Sequence, residues 1–464
     1  MKYPIGIQDF ESVINGNYVY VDKTALIYRL VTEGKIYFLN RPRRFGKSLL
    51  VSTLEAYFQG RKELFKGLAI DELETEWAEY PVFHIDFNGS NFTRPYTLEE
   101  VIEKFLSDQE DLYGRNPNSR DTGSRFKDIL KAAHQKTGKR AVVLIDEYDK
   151  PLLDVLDTGF STVVDGEKHL LEEHHRNILK GFYSVFKAAD ADLQFVLLTG
   201  VTKFSQVSVF SGFNQPEDIS MSRDFESLCG ITEDELYHYF AEPIYKLAER
   251  YKTTVGEMKE RLKRHYDGYH FSDELTDIYN PFSILNACKS CYIADYWFKT
   301  GTPTYLIRLL NHTCENLNEL TGKYYDPSQF IDYKADVEKP LPMIYQSGYL
   351  TIKDCDLEMG TFLLDFPNNE VKKGFVTLVA NNYLQPEKDS GSWARDIVGA
   401  LKTGDLEQLR KLLTSFLADI PYTMRRKETE RERERYFHYT FYLLMRMVSV
   451  YTVYTEKQQS EGRV

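Results

Sequence analysis

The sequence feature that most constrains the fold is the continuous apolar run at residues 141–145, which Asp146 and Glu147 follow directly. Such a run is typical of a strand buried on both faces, and strands of that kind occur in parallel sheets covered by helices. Helical patterns at 101–108 and 125–136 lie between further strand candidates at 36–39, 80–87 and 192–201. The alternation of strands and helices predicts a parallel, layered α/β sheet over roughly the first 210 residues.

The first strand candidate leads into a segment that is similar to a phosphate-binding loop, RPRRFGKS at residues 41–48. The usual pattern is G-x-x-x-x-G-K-[ST], and Arg41 stands where the first glycine is expected. That glycine serves the turn out of the strand, and Pro42 can fix the φ angle of this turn in another way. We therefore expect the loop to bind a nucleoside triphosphate despite its departure from the pattern.

The loop residues have separate expected roles. Gly46 lets the backbone approach a phosphate closely, Lys47 supplies an exposed cation for the β/γ oxygens, and Ser48 supplies a hydroxyl for Mg²⁺. Arg43 and Arg44 either contact phosphate or face acidic neighbours, and the second interpretation is favoured. The full predicted nucleotide-binding set is Arg43, Arg44, Phe45, Gly46, Lys47, Ser48 and Leu49.

The acidic pair after the buried strand completes the predicted site. A carboxylate at the carboxyl end of a parallel strand beside the loop, here Asp146, can hold Mg²⁺ through water together with Ser48. Glu147 can then act as general base on an attacking water. For Thr199, near the end of the strand candidate 192–201, and for Lys203 two interpretations stay open: Thr199 orients that water and Lys203 reaches the same space, or both residues merely end the strand and begin a loop.

Three other polar residues near these strands have less specific expectations. Asp149 is predicted to be a salt-bridge or cap residue rather than a catalytic one. His84 lies in the strand candidate 80–87 and is interpreted as a packed histidine. Asp86 faces the same side of that strand because side chains alternate, and a role in the site stays open for it.

Length and charge set limits on the rest of the molecule. The chain has 464 residues, which is too long for one core and indicates two to four domains. With 58 basic and 70 acidic residues its net charge is -12, which argues against a protein that coats nucleic acid non-specifically. The longest apolar stretch, near residue 440, is too short to span a bilayer and contains Arg446. A cytoplasmic protein without a membrane partner is expected.

The second half of the chain changes character. Thr232 followed by Glu235 is a capping box, and it opens an amphipathic helical pattern over 231–266. Residues 341–366 have the pattern of a helix end followed by two strands and a polar turn, which resembles the wing of a winged-helix module. A last helical unit begins near residues 396–413.

Several segments together resemble the bacterial AAA-ATPase-like family. In the first half these are YPIGIQDFESV, YVDKTALIYRL, FLNRPRRFGKSLL, VVLIDEYDKPL and LLTGVTKFSQVSVFSGFNQPEDIS; in the second half they include CGITEDEL, YDGYHF, YNPFSIL, YWFKTG and YQSGYLTI. The resemblance covers nearly the whole chain, and its loop has the same R-P-R-R-F-G-K-S form. It implies a P-loop NTPase sheet in which strands ending in Asp146 and Thr199 flank the phosphate-loop strand, with ATP and Mg²⁺ as ligands.

The resemblance also implies a domain order. We expect an AAA-ATPase-like P-loop domain at 1–215, a helical lid region at 216–335, a winged-helix-like region at 336–395 and a PD-(D/E)XK nuclease-like end at 396–464. The aspartate and the E-x-K strand of such a nuclease do not occur before Val464, so only Glu434 and an aromatic helix at 436–447 match it. The chain as given is therefore expected not to cut DNA, since no pair of carboxylates can be placed around a metal.

The leading functional prediction is an ATP-binding protein, with Mg²⁺-dependent hydrolysis that moves the helical and winged parts and is coupled to the nuclease-like end. One alternative is a nucleotide-dependent switch with little turnover. The other is a DNA-processing nuclease, which would need a complete C-terminal domain. DNA and another protein both stay open as partners of the C-terminal parts.

Overall fold

The structure is a computed structural model of the chain. It describes residues 1–204, 216–300, 305–308, 320–333, 339–384 and 390–419, together with Phe441, Met445, 458–459 and 462–463. The aromatic helix expected at 436–447 and the acidic residue Glu434 lie outside the described residues, apart from Phe441 and Met445.

A five-stranded parallel sheet forms the centre of the first half. Its strands are β1 (Ile36–Asn40), β2 (Val82–Asp86), β3 (Ala141–Asp146), β6 (Leu193–Gly200) and β7 (Glu217–Asp218), and their order is β2-β3-β6-β1-β7. The predicted α/β fold with a parallel sheet is thus confirmed. The expected flanking of β1 by the strands that end in Asp146 and Thr199 is wrong for the first of them. β6 and β7 pair with β1, and β3 lies one strand further away, because β6 inserts between them.

Helices cover the sheet in the way the strand composition predicts. All six residues of β3 are buried, and both α3 (Lys47–Phe58) and α6 (Thr122–Thr137) pack against it. A strand covered on both faces needs apolar residues at every position, which accounts for the unbroken run at 141–145. The other helices of this half are α1 (Phe10–Asn15), α2 (Thr24–Glu33), α4 (Ala69–Leu73), α5 (Thr97–Tyr113), α7 (Lys150–Leu153), α8 (Leu171–Tyr183) and α9 (Val185–Ala188).

A small hairpin, which the sequence did not predict, lies between β3 and β6. Its strands are β4 (Ser161–Val164) and β5 (Glu167–Leu170), and they pair antiparallel with each other.

The predicted amphipathic helix at 231–266 is three helices. They are α10 (Glu233–Tyr239), α11 (Ala241–Tyr251) and α12 (Val255–Tyr266). The capping box of Thr232 and Glu235 is confirmed, and a second one begins at Thr254. Lys252 ends α11 in a left-handed conformation at φ 53, which turns the chain before the second capping box. Two-residue strands β8 (Ile231–Thr232) and β9 (Ile278–Tyr279) pair beside these helices, and α13 (Pro281–Ser290) follows.

The predicted helix end and hairpin at 341–366 are confirmed as α14 (Leu341–Gln346), β11 (Thr351–Asp356) and β12 (Thr361–Asp365). A third strand, β10 (Lys323–Tyr325), pairs with β12 and makes an antiparallel sheet of three strands. The last described helices are α15 (Asn369–Leu384), α16 (Ser390–Thr403) and α17 (Leu406–Asp419). Within the described ranges, every helix is too short or too polar to cross a bilayer.

Candidate functional site

The phosphate-binding loop lies between β1 and α3, as the sequence predicts. The helix begins at Lys47, and Gly46 before it has φ 98, a left-handed conformation that favours glycine. Arg44 also has a positive φ of 63, which is uncommon for a residue with a side chain. Left-handed residues alternating with ordinary ones turn successive backbone N–H groups toward a common point, and such a concave arrangement binds anions.

Lys47 lies under the loop rather than on its surface. Its side chain is 5% exposed, and its ammonium group donates to the backbone carbonyls of Arg41 at 2.9 Å and Pro42 at 3.2 Å. The expectation of an exposed loop cation was wrong, because the side chain of a first helical residue points back toward the N-terminus and so into the loop. Lys47 therefore supports the loop backbone as well as carrying the charge that a phosphate needs.

Arg41, at the position of the missing glycine, is a buried structural cation. Its guanidinium group donates to the carbonyls of Asn40 at 2.9 Å, Ser220 at 2.7 Å and Glu226 at 3.2 Å. It also lies 4.0 Å from the centre of the Phe271 ring. Burial lowers the pKa of this group, and the carbonyls and the ring compensate part of that cost. The sequence pattern gave no sign of this role, since the partners of Arg41 other than Asn40 lie 179 or more residues along the chain.

The two exposed arginines of the loop lie over aromatic rings. The Arg43 guanidinium is 5.9 Å from the centre of the Tyr305 ring, and that of Arg44 is 4.6 Å from Phe282. In the part of the chain that the structure describes, neither is paired with an acidic group. Phe45, the next residue, is buried and packs against Tyr269 and Phe271 at ring distances of 4.8 and 5.6 Å.

Asp146 and Thr199 come together at the carboxyl ends of β3 and β6. The Thr199 hydroxyl donates to Asp146 Oδ1 at 2.5 Å, and both side chains are buried. The backbone N–H of Glu147 donates to the same carboxylate oxygen at 3.1 Å. Glu147 has φ 52 and is only half-buried, so its strained backbone turns the residue out of the direction of the strand.

Asp149 is the N-cap residue of α7, as one of the two predicted roles has it, but its side chain makes no bond to the N–H groups of that helix. Its carboxylate accepts hydrogen bonds from the backbone N–H groups of Val201 at 3.0 Å and Thr202 at 2.6 Å, just beyond β6. Tyr148 reinforces this connection, since its hydroxyl donates to the carbonyl of Thr202 at 2.7 Å. Burial raises the pKa of Asp149 to about 7, and the charge of Glu147 adds to this rise. These two residues join the turn that carries Glu147 to the segment that follows Thr199.

Lys203 is held away from the acidic pair by two other carboxylates. Its ammonium lies 2.8 Å from Asp218 at the end of β7 and 3.0 Å from Asp332. Burial lowers the pKa of Lys203, but the two carboxylates together outweigh burial and raise it. The structure therefore places Lys203 between β7 of the parallel sheet and the segment that follows β10.

His84 and Asp86 lie beside the site on β2. His84 Nδ1 is 2.8 Å from a carboxylate oxygen of Glu55 on α3, so the ring lies on the face that α3 covers. Asp86 is the neighbour of Asp146 in the parallel pairing. Burial raises the pKa of Asp86, and the charge of Asp146 adds to this effect.

A cleft opens beside Gly46 and the first turns of α3. Three parts of the chain line it: the N-terminal segment, the loop with α3, and the region after β7. Their main contributions are Val21 and Lys23, Gly46 and Leu49, and Gly230, Phe240 and Leu285. The lining is mostly apolar, and Lys23 is bound by Glu235 at 2.6 Å. A mostly apolar cleft with a few polar groups has the composition of a site for a small organic group.

Ser48 and Asp146 are the candidate residues for a metal ion. Among the described residues, no three His, Cys, Asp or Glu side chains come together in a way that could hold one. A donor set of one hydroxyl and one carboxylate still fits Mg²⁺ in a nucleotide site, since Mg²⁺ keeps several waters and takes other oxygens from phosphate.

Comparison of the sequence with known proteins assigns the chain to a family. The family described as Predicted AAA-ATPase matches residues 4–210, which include the loop, Asp146, Glu147 and Thr199. The chain is also 33% identical over 468 residues to the "Uncharacterized protein in vnfD 5'region" of Azotobacter chroococcum mcd 1, and the match covers 100% of this chain and 86% of that relative. The chain belongs to the AAA-ATPase-like family. Membership in this family suggests nucleotide binding, and the long match to the relative shows that the similarity extends past the sheet into the C-terminal half.

Proposed function

We propose that this protein binds ATP with Mg²⁺ and hydrolyses it. The observation that carries the proposal is the meeting of three strand ends: β1 leads into the loop with Lys47 and Ser48, β6 ends near Thr199, and β3 ends at Asp146. Ligands of parallel α/β sheets bind at the carboxyl ends of the strands. The bond between Thr199 and Asp146 supports a common role for the two adjacent strands.

In this proposal the loop binds the phosphates. The backbone around Arg44 and Gly46 and the N-terminus of α3 provide N–H groups, and a helix N-terminus favours negative charge. The ammonium of Lys47 exchanges its loop carbonyls for phosphate oxygens. Arg43 and Arg44, both exposed at the surface of the loop, are further candidates for phosphate contacts.

The acidic residues and Thr199 are proposed to bind the metal ion and to activate the attacking water. Mg²⁺, when bound, would neutralise phosphate charge, with Ser48 and Asp146 as its protein-side residues. Glu147 takes the proton of the attacking water as general base. Thr199, held by Asp146, is the group proposed to orient that water. Lys203, which pairs with Asp218 and Asp332, is proposed to act only if those pairs open.

The cleft beside Gly46 is the proposed site of the nucleobase. It starts at the loop, so a base bound there stays within reach of phosphates on the loop. The apolar lining, which includes the rings of Phe45 and Phe240, suits an aromatic base, and the Lys23–Glu235 pair provides polar groups at the edge of the cleft. Because the cleft lies between the first half and the region after β7, binding there would bring the two together. This is the proposed route by which nucleotide state moves the C-terminal parts, with DNA or a protein as the partner.

Steady-state phosphate release by the purified chain tests the proposal. We expect Mg²⁺-dependent turnover that Glu147→Gln slows by roughly 10²- to 10⁴-fold with ATP affinity retained, since the substitution removes the proton acceptor and keeps the shape. Glu172→Gln is the matched control, because Glu172 pairs with Arg176 on α8. Tight ATP binding without release would favour the switch. Absence of ATP binding would overturn the proposal.

A further inference from the structure

The indole of Trp297 makes one polar contact with the phosphate-binding loop. Its Nε1–H donates to the backbone carbonyl of Arg43 at 2.9 Å, between residues 254 positions apart in sequence. The Trp297 side chain is 6% exposed, and its ring lies 5.4 Å from the ring of Tyr349. The bond is partly buried, so loss of the indole N–H would leave the carbonyl with a weaker partner at best.

The bond fixes the orientation of the peptide between Arg43 and Arg44. A trans peptide is planar, and its C=O and N–H groups point in opposite directions. By holding the Arg43 carbonyl, Trp297 therefore directs the Arg44 N–H to the opposite side of the loop backbone. Arg44 has φ 63, and a strained residue of this kind persists only where its surroundings hold it.

Trp297 is itself fixed by a buried carboxylate from the C-terminal half. Glu370, near the start of α15, accepts hydrogen bonds from the backbone N–H groups of Trp297 at 2.6 Å and Phe298 at 3.3 Å. Its other oxygen accepts from the Ser283 hydroxyl at 2.8 Å. Gly374, one turn further along α15, faces the Phe298 ring so closely that a Cβ there would lie 2.3 Å from ring atoms.

We propose that Trp297 is a positioning residue for nucleotide binding, which sets the peptide of Arg43 and Arg44 for phosphate and links the loop to α15 through Glu370. The inference rests on the proposed binding of ATP by the loop. Coupling between two sites is reciprocal. ATP binding to the loop must therefore stabilise the contacts of Trp297 with the C-terminal half by the same free energy by which those contacts stabilise bound ATP.

Calorimetric titration of the full chain with Mg-ATP tests this directly. Trp297→Phe keeps an aromatic ring and removes the N–H, and we expect ATP affinity to fall on the order of 3- to 10-fold, the scale of one hydrogen bond. Trp77→Phe is a matched control, since Trp77 Nε1–H also donates to a backbone carbonyl, that of Glu74 at 3.0 Å, and the control should leave affinity unchanged. Equal affinities of wild type and Trp297→Phe would overturn the inference alone, whereas a wild type that does not bind ATP would overturn the proposed function.

Fluorescence gives a second measurement that a purely structural role would not move. In the Trp77→Phe/Trp393→Phe variant, Trp297 is the remaining tryptophan of the three in the chain. We expect Mg-ATP to change the emission of Trp297 in this variant. In a separate variant, Gly374→Ala should displace Phe298 without contacting the loop, and we expect it to weaken ATP binding in the same range as Trp297→Phe. Emission that does not respond to saturating ATP would contradict the coupling, as would unchanged affinity of a folded Gly374→Ala variant.

Discussion

Asp149 accepts the backbone N–H of Thr202 at 2.6 Å, which ties the turn after β3 to the segment after β6. Asp149 follows β3, and Thr202 follows the adjacent parallel strand β6. The proposed general base, Glu147, lies just after β3, and the proposed water-orienting hydroxyl, that of Thr199, lies near the end of β6. A shift of either strand end relative to the other would change the distance between Glu147 and Thr199.

The first prediction follows from this connection. Asp149→Ala should lower phosphate release by roughly 10- to 100-fold with ATP affinity within about threefold, because small displacements of catalytic groups cost rate more than binding. Asp149→Asn should recover most of the rate, since an amide oxygen can accept both N–H groups. Single-turnover rates and calorimetry measure the two effects. Asp154→Ala is the control, since its side chain pairs only with Lys150 among the described residues; equal rates for Asp149→Ala and the control would contradict the role.

Replacement of the loop lysine should have two effects. Lys47→Ala should abolish measurable ATP binding and also lower the free energy of unfolding by about 1–2 kcal/mol, because two loop carbonyls lose their donor. Calorimetry and urea unfolding measure these separately. Lys35→Ala removes a more exposed lysine that pairs with Asp190 and should change neither. Retained ATP affinity in Lys47→Ala would show that the loop does not bind phosphate.

Restoring the usual glycine at the first loop position should destabilise the protein. Arg41→Gly leaves the carbonyls of Ser220 and Glu226 without this donor and opens a cavity beside Phe271. We expect a loss of roughly 2–4 kcal/mol in the free energy of unfolding. Urea denaturation measures this loss. An unchanged midpoint would mean that the contacts of the Arg41 guanidinium with residues 220–226 do not stabilise the protein.

Stability should depend on pH through Glu370. Burial raises its pKa from 4.5 to about 7 in the folded protein. The folded state therefore keeps a proton that the unfolded state releases between pH 4.5 and 7, so this contribution is fully present below pH 4.5 and is lost as pH rises through 7. Relative to Glu370→Gln, the wild type should lose on the order of 3 kcal/mol of unfolding free energy across this window. Urea midpoints at pH 4.5 and 7.5 compare the two proteins, and a constant difference would contradict the prediction.

The sequence predicted four of the five strands of the sheet, because each of these four carries its own local pattern, whereas the two-residue strand β7 is too short to show one. The run at 141–145 needed nothing beyond itself to indicate a strand covered on both faces. The loop likewise contained enough of its pattern for Gly46, Lys47 and Ser48 to be assigned to it.

What the sequence could not predict are contacts between distant parts of the chain. Arg41 reads as a defect in a motif until its partners at 220–226 and Phe271 are seen. Asp149 is separated by more than 50 residues from the N–H groups it accepts, and Trp297 by 254 from the carbonyl it holds. The order of β1, β6 and β3 also depends on which strand inserts between two others, a choice that no single strand's composition records.

The sheet takes its last strand, β7, from beyond residue 210, where the family match ends. Removal of everything after that residue would expose the outer edge of β1. It would also remove the carbonyls of Ser220 and Glu226 that accept hydrogen bonds from Arg41, and the rings of Tyr269 and Phe271 that pack against Phe45. We therefore expect that the segment matched by the family does not fold by itself, and that the phosphate-binding half can be transferred to another protein only together with the downstream residues that contact it.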